Sequence, residues 1–242
     1  MLPRVLAPLV VKIPYASWVP LLPSSGIPIF IAAWLAAALL FALGWKTRVA
    51  GSVLTFVTGY TLFLDQQNYS NHLYLLFLVV LMLTIADSGA AWSLDARQTA
   101  KGDIAAWPVL LLKIEVTIVY FFSALAKLTA PYLRGEVLGG SLKQDGWLAI
   151  PQSWRIPAAL SLLAVASVAV ELFIAFGLWS RRLRLPAILS GIGFHLLAIA
   201  ILDSSRLSLL IFALEIFAGY LLFVDVQRDN NRKQREPVLS SW

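Results

Sequence analysis

"AALSLLAVASVAVELFIAFGLW", residues 158–179, runs for 22 residues with a single charge, Glu171. The hydrocarbon core of a bilayer takes about 20 apolar residues in a helix that rises about 1.5 Å per residue. The run shows no strand alternation, and in lipid only a helix or a closed barrel satisfies its own backbone. It therefore reads as a transmembrane helix. Six further stretches read alike: residues 27–43, 49–64, 73–86, 109–128, 185–202 and 207–224. Composition agrees, with 60% hydrophobic residues, 13% charged residues and a mean hydropathy of +0.80 over 242 residues. A soluble chain of that size lacks the interior to hide so much apolar surface. The expected fold is all-α, a polytopic integral membrane bundle of seven or eight transmembrane helices.

Residues 1–23 are less regular. Pro3, Pro8, Pro14, Pro20, Pro23 and Lys12 interrupt any helix of spanning length, so an interfacial or broken helix is expected, with an eighth span left open. Residues 24–224 would form the membrane bundle and residues 225–242 a tail, with no repeat and no soluble second domain. The absence of cysteine removes disulfides, thiolate metal sites and cysteine nucleophiles. His72 and His195 are the only histidines, too few for a histidine metal cluster, and no metal is expected. A net charge of +6 is a weak argument for nucleic acid, because the basic residues sit in short clusters between apolar runs and no nucleic-acid partner is expected. Those clusters orient the chain instead. Lys46, Arg48, Arg97, Lys101, Arg181, Arg182, Arg184, Arg228, Arg232, Lys233 and Arg235 fall on one side. Arg4, Lys12, Arg134, Lys143, Arg155 and Arg206 fall on the other. The richer side is expected to be cytoplasmic, which puts the C-terminus there and the connections at residues 65–72 and after Lys127 on the outer face.

The third stretch has only 14 apolar residues, 73–86, so its helix is expected to be completed by the residues before Leu73. Asn68, Asn71 and His72 would then lie at membrane depth facing a cavity, with Asn68 and His72 four apart on one face. An ordinary wet loop is the alternative. In the fourth stretch, Lys113, Tyr120, Ser123 and Lys127 recur at intervals of seven, three and four, which lines them on one stripe of the helix. Two readings of Lys127 stand side by side: an ammonium snorkelling to the interface, or an amine facing the bundle interior, where it could serve as a base.

The segment "YFFSALAKLTAPYLRGEVL", residues 120–138, resembles the signature of the vitamin K-dependent gamma-carboxylases and their bacterial relatives, the horizontally transferred transmembrane (HTTM) domain proteins. An aromatic-rich helix leads to Lys-Leu, an aromatic residue, then Arg-Gly-Glu. "LGWKTRVAG" at 43–51, "NHLYLL" at 71–76, "VELFIAFGLWSRRLRLPA" from Val170 and "FHLLAIA" ending at Ala200 fit the same family in order.

The resemblance implies roles at matched positions. Lys127 matches the lysine held to deprotonate the reduced quinone so that oxygen can attack it. His72, preceded by Asn71, matches a histidine that supports this chemistry. In the carboxylases the quinol ends as an epoxide, and a glutamate gamma-carbon gives up a proton and takes carbon dioxide. The implied co-reactants are thus reduced vitamin K or a menaquinol-type quinone, O2 and CO2. The implied partners are membrane lipid, the quinol, and a peptide or protein substrate bearing glutamate. The implied place is a bacterial inner (plasma) membrane.

Glu171 and His195 are rare residues at membrane depth, read as interhelical hydrogen-bonding groups or as parts of a quinone site. Arg134 and Glu136 either pair with each other or receive a substrate carboxylate. The large soluble region of the full carboxylases has no counterpart in these 242 residues, and Ala126 stands where some carboxylases carry a second lysine. A non-catalytic membrane partner in peptide maturation, export or immunity is therefore the competing reading, and a partner protein is expected if recognition is supplied elsewhere. A transporter ranks last, because no inverted repeat or paired broken helix is evident.

Overall fold

The computed structural model describes residues 12–66, 70–86, 88–90, 93–97, 106–142, 151, 153, 155–202 and 206–224. Their regular structure is helical: α1 (Ile27–Leu43), α2 (Thr47–Leu64), α3 (Asn71–Ile85), α4 (Trp107–Ala126), α5 (Ala130–Leu133), α6 (Glu136–Ser141), α7 (Pro157–Gly177), α8 (Arg184–Ile201) and α9 (Arg206–Leu221). Among the described residues, strand pairing is limited to one isolated bridge between Leu142 and Leu202. Each of the seven apolar stretches coincides with a helix. Three of these, α4, α7 and α8, are long and apolar enough to cross a membrane. The apolar helices α1 and α3 and residues 207–221 of α9 are shorter. α2 has 18 residues, but Thr47, Thr55, Thr58, Gly51 and Gly59 dilute its apolar character. Large apolar side chains point outward along these helices, Ile29 and Leu162 each being 72% exposed. Water would penalise such surfaces, whereas lipid solvates them. The chain is a membrane protein.

By contacts the chain divides into two compact units at a boundary inside α4, between Leu112 and Lys113. In the first unit α2 packs on both α1 and α3. Its core joins Ala37, Leu54 and Val80, one residue from each helix, with Trp34, Phe41 and Leu76 around them. Gly44 ends α1 at φ +66°, where a Cβ would run into Ser93. Such a left-handed glycine is a common helix stop. Lys46 also takes positive φ, at 47°. Asp95, from a short 3-10 turn, secures that corner. Its Oδ1 accepts from the Lys46 N–H at 2.8 Å, and Oδ2 accepts from the Thr47 N–H at 2.8 Å and the Thr47 hydroxyl at 2.7 Å. These bonds, the Thr47 N–H above all, hold the Asp95 carboxyl below the usual carboxylate range.

Residues 12–23 contain one three-residue 3-10 turn, Pro14–Ala16, and no longer helix. That agrees with a proline-broken segment. Lys12 Nζ donates to the Val19 carbonyl, and Ile13, Ala16 and Val19 pack against Tyr60 and Leu64. Residues 1–11 and 225–242 lie outside the described residues.

The third helix does begin before Leu73, as expected, but only two residues before it, at Asn71. Ser70 is extended, at φ −147° and ψ 147°, and its hydroxyl accepts from the Leu73 N–H at 3.4 Å, so the helix starts at Asn71. A serine in this position stops a helix by supplying an acceptor to its first turn. The face expected to join Asn68 to His72 is therefore not part of α3, and Asn68 lies outside the described residues.

In the second unit α7 packs on α5, α6 and α8, and α8 packs on α9. Leu138, Leu142 and Ala164 form a core with Tyr132, Leu160, Leu163, Ile201 and Leu202. Between α5 and α6, Gly135 sits at φ +77°, and a Cβ there would meet the backbone of Leu160 and Ser161.

Candidate functional site

The stripe on α4 is real, and it faces inward within the second unit. The turn that ends α4 places Lys127 one turn beyond Ser123, and its Nζ donates to Ser123 Oγ at 3.0 Å and to Glu171 Oε1 on α7 at 2.5 Å. The Ser123 hydroxyl donates to the same Oε1 at 2.9 Å. The Lys127 side chain is 23% exposed and that of Glu171 4%. Snorkelling is excluded for Lys127, because its charge is spent on α7. Its Nζ lies 6.0 Å from the ring centre of Tyr132 and 5.7 Å from that of Phe194. Glu171 Oε2 is buried and has no hydrogen-bond partner among the described residues.

One turn earlier on the stripe, the Tyr120 hydroxyl meets His195 Nε2 on α8 at 2.8 Å and also bonds the Tyr220 hydroxyl on α9. All three residues are buried. This is the interhelical hydrogen bonding expected of Glu171 and His195, with different partners for each. At the far end of the stripe Lys113 Nζ sits 5.5 Å from the Phe223 ring centre. Tyr132 on α5 bonds Ser167 Oγ on α7 at 2.9 Å, which fixes the short helix beside Lys127.

Arg134 and Glu136 are exposed and pair with each other, Nε to Oε1 at 2.7 Å. His72 and Asn71 belong to the first unit. Asn71 is exposed at the start of α3, and His72 Nε2 lies 3.3 Å from Ser70 Oγ. Glu115 is partly buried, and Glu215 Oε2 is buried without a hydrogen-bond partner. Among the described residues no group of three His, Cys, Asp or Glu side chains could hold a metal.

Tyr220 and Phe194 are the residues that sequence reading passed over. Periodicity shows which residues share a face but not which helix lies opposite. The available signal was a lone tyrosine hydroxyl near the end of an apolar run, a group that needs a partner when buried.

A family model of the HTTM domain matches residues 4–228. The chain belongs to the HTTM domain family. No solved structure matches it. HTTM domains are found in vitamin K-dependent carboxylase-like proteins. Lys127, which the fold ties to Ser123 and Glu171, lies within the residues that this HTTM domain match covers. Chemically, the cluster combines a cation, a buried carboxylate and a hydroxyl at the end of an apolar helix, beside two aromatic faces. Such a set can bind a flat apolar molecule carrying a hydroxyl and move a proton at that hydroxyl.

Proposed function

We propose that this HTTM domain acts at Lys127 on a reduced quinone of the vitamin K or menaquinol type, as a quinol-dependent oxygenase or carboxylase. The observation that carries the reading is the inward engagement of Lys127. At the end of a 20-residue apolar helix it gives its ammonium to Ser123 and Glu171 instead of to the membrane surface. Tyr132 and Phe194 supply the apolar walls a quinone ring needs, and the part of Lys127 that stays exposed leaves it within reach of a ligand. The Lys127–Glu171 pair takes the proton of the quinol hydroxyl, and O2 and CO2 are the co-reactants the family likeness suggests.

The family likeness gives His72, preceded by Asn71, a supporting role in that chemistry. Arg134, now paired with Glu136 in an exposed loop, exchanges that partner for the carboxylate of a glutamate-bearing peptide. A partner protein supplies any further recognition. The domain is a single bundle of seven or eight spans in a bacterial inner membrane, with the C-terminus in the cytoplasm and the cavity open to the outer face. The excess of Lys and Arg on one set of connections supports that orientation.

The test is mass spectrometry of quinone species in membranes that contain the protein, given reduced vitamin K, oxygen and a glutamate peptide. Wild type should form the quinone epoxide, and Lys127→Met should form none while remaining folded. Equal epoxide from both would remove Lys127 from the chemistry. A wild type that neither binds nor oxidises the quinol would sink the enzyme reading.

A further inference from the structure

We infer that Glu171 is the proton-accepting partner of Lys127, so that the pair, and not the lysine alone, is the base of this site. The starting point is the state of the lysine. Its Nζ lies 2.5 Å from Glu171 Oε1 and faces the Tyr132 and Phe194 rings, an environment that suits a cation. A protonated amine has no lone pair with which to accept another proton. A proton that arrives at Nζ must therefore push one out, along the contact that already exists to Oε1.

The carboxylate is built to receive it. Oε1 gathers two donors, Lys127 and Ser123, while Oε2 is buried and has none. An oxygen that no donor occupies keeps its lone pairs free, so the carboxyl group has room for a proton as well as its two existing bonds. The other polar groups near the pair are Ser123 and Tyr120 on α4, Tyr132 on α5, and His195 on α8, with Tyr220 on α9 behind them. Tyr120 is hydrogen-bonded to both His195 and Tyr220, and Tyr132 to Ser167. Glu171 is the carboxylate in contact with Lys127.

The step balances without a further reagent. The O–H bond of the bound hydroxyl breaks and its electron pair stays on oxygen. That proton joins Nζ as Nζ releases one to Oε1. The lysine ends protonated and the carboxyl neutral, so the pair gains one positive charge opposite the new oxyanion. The inference rests on the proposed function only for the identity of the hydroxyl donor.

Infrared difference spectroscopy on the full chain in lipid nanodiscs, with 13C-carboxyl glutamate, tests it in two arms. Without quinol, Lys127→Met should show the carbonyl band of a neutral carboxylic acid, and Lys127→Met/Glu171→Gln should lack it. Lys127→Gln serves in the same comparison if the methionine variant does not fold. With reduced vitamin K, the wild type should gain the same band and Glu171→Gln should not. The inference is overturned if the lysine variants show no band that depends on Glu171. It is equally overturned if the wild type holds the quinol, seen by mass spectrometry of the bound fraction, and gains no band. A wild type that binds no quinol removes the proposed function alone, and the first arm then decides the role of Glu171.

Discussion

At the residue scale, the second unit is closed by contacts with little tolerance. Gly191 on α8 is buried where an added Cβ would overlap the Tyr220 hydroxyl and ring end, and that hydroxyl is already bound to Tyr120. Gly193, two residues on, has nothing within 4 Å of its would-be Cβ. Gly191→Ala should therefore destabilise the protein by about 1 to 3 kcal/mol through overpacking. Gly193→Ala should stabilise it by about 0.5 to 1 kcal/mol, as alanine does in a helix interior. Thermal unfolding of both variants in one detergent checks the opposite signs. Lys127 shows the limit of reading at this scale. Its spacing from Ser123 and Tyr120 is plain in the sequence, yet the residues alone leaned slightly to the outward, snorkelling reading, because the deciding carboxylate lies 44 residues away on another helix.

Helices were the legible scale. Residues 158–179 and the structure's Pro157–Gly177 differ by one or two residues at each end, as expected when an unbroken apolar run sets the span. α3 starts ahead of its apolar run, as the length argument required, but by two residues only, because the Ser70 hydroxyl caps it there. The break between α1 and α2 was legible but its cap was not, since Asp95 caps α2 from 48 residues beyond Thr47. That cap carries a pH signature. Asp95 has its folded pKa depressed, so its stabilisation is complete above the ordinary carboxylate pKa of about 4 and is lost as pH falls through the lower folded value. Wild type should therefore exceed Asp95→Asn in melting temperature near neutral pH, and the gap should close as the solution is acidified. A gap that persists in strong acid would show that the carboxylate charge is not what holds the corner.

For the whole molecule, the family and the helical class were readable from composition and from motifs in order, whereas the polar clusters needed coordinates. Sidedness can be measured directly because the chain contains no cysteine, so any introduced thiol is the only one. Glu136 and Arg182 are exposed and lie in connections on either side of α7, one spanning helix apart. A membrane-impermeant maleimide should label Glu136→Cys in intact cells and Arg182→Cys only in inside-out vesicles. Labelling of both from the same side would overturn the assignment of α7 as a span.

The stripe on α4 also bears on which genetic changes this domain can survive. Its residues 120, 123 and 127 answer to three other helices: α8 and α9 for Tyr120, and α7 for Ser123 and Lys127. Point substitutions can erode these ties one at a time. A single codon inserted upstream of Tyr120 within the helix would instead turn everything beyond it by about 100° relative to the turns before, and all the ties would slip out of register together. Length is thus the property of α4 under the tightest constraint, and libraries of insertions should leave a gap over this helix wider than substitution scans do.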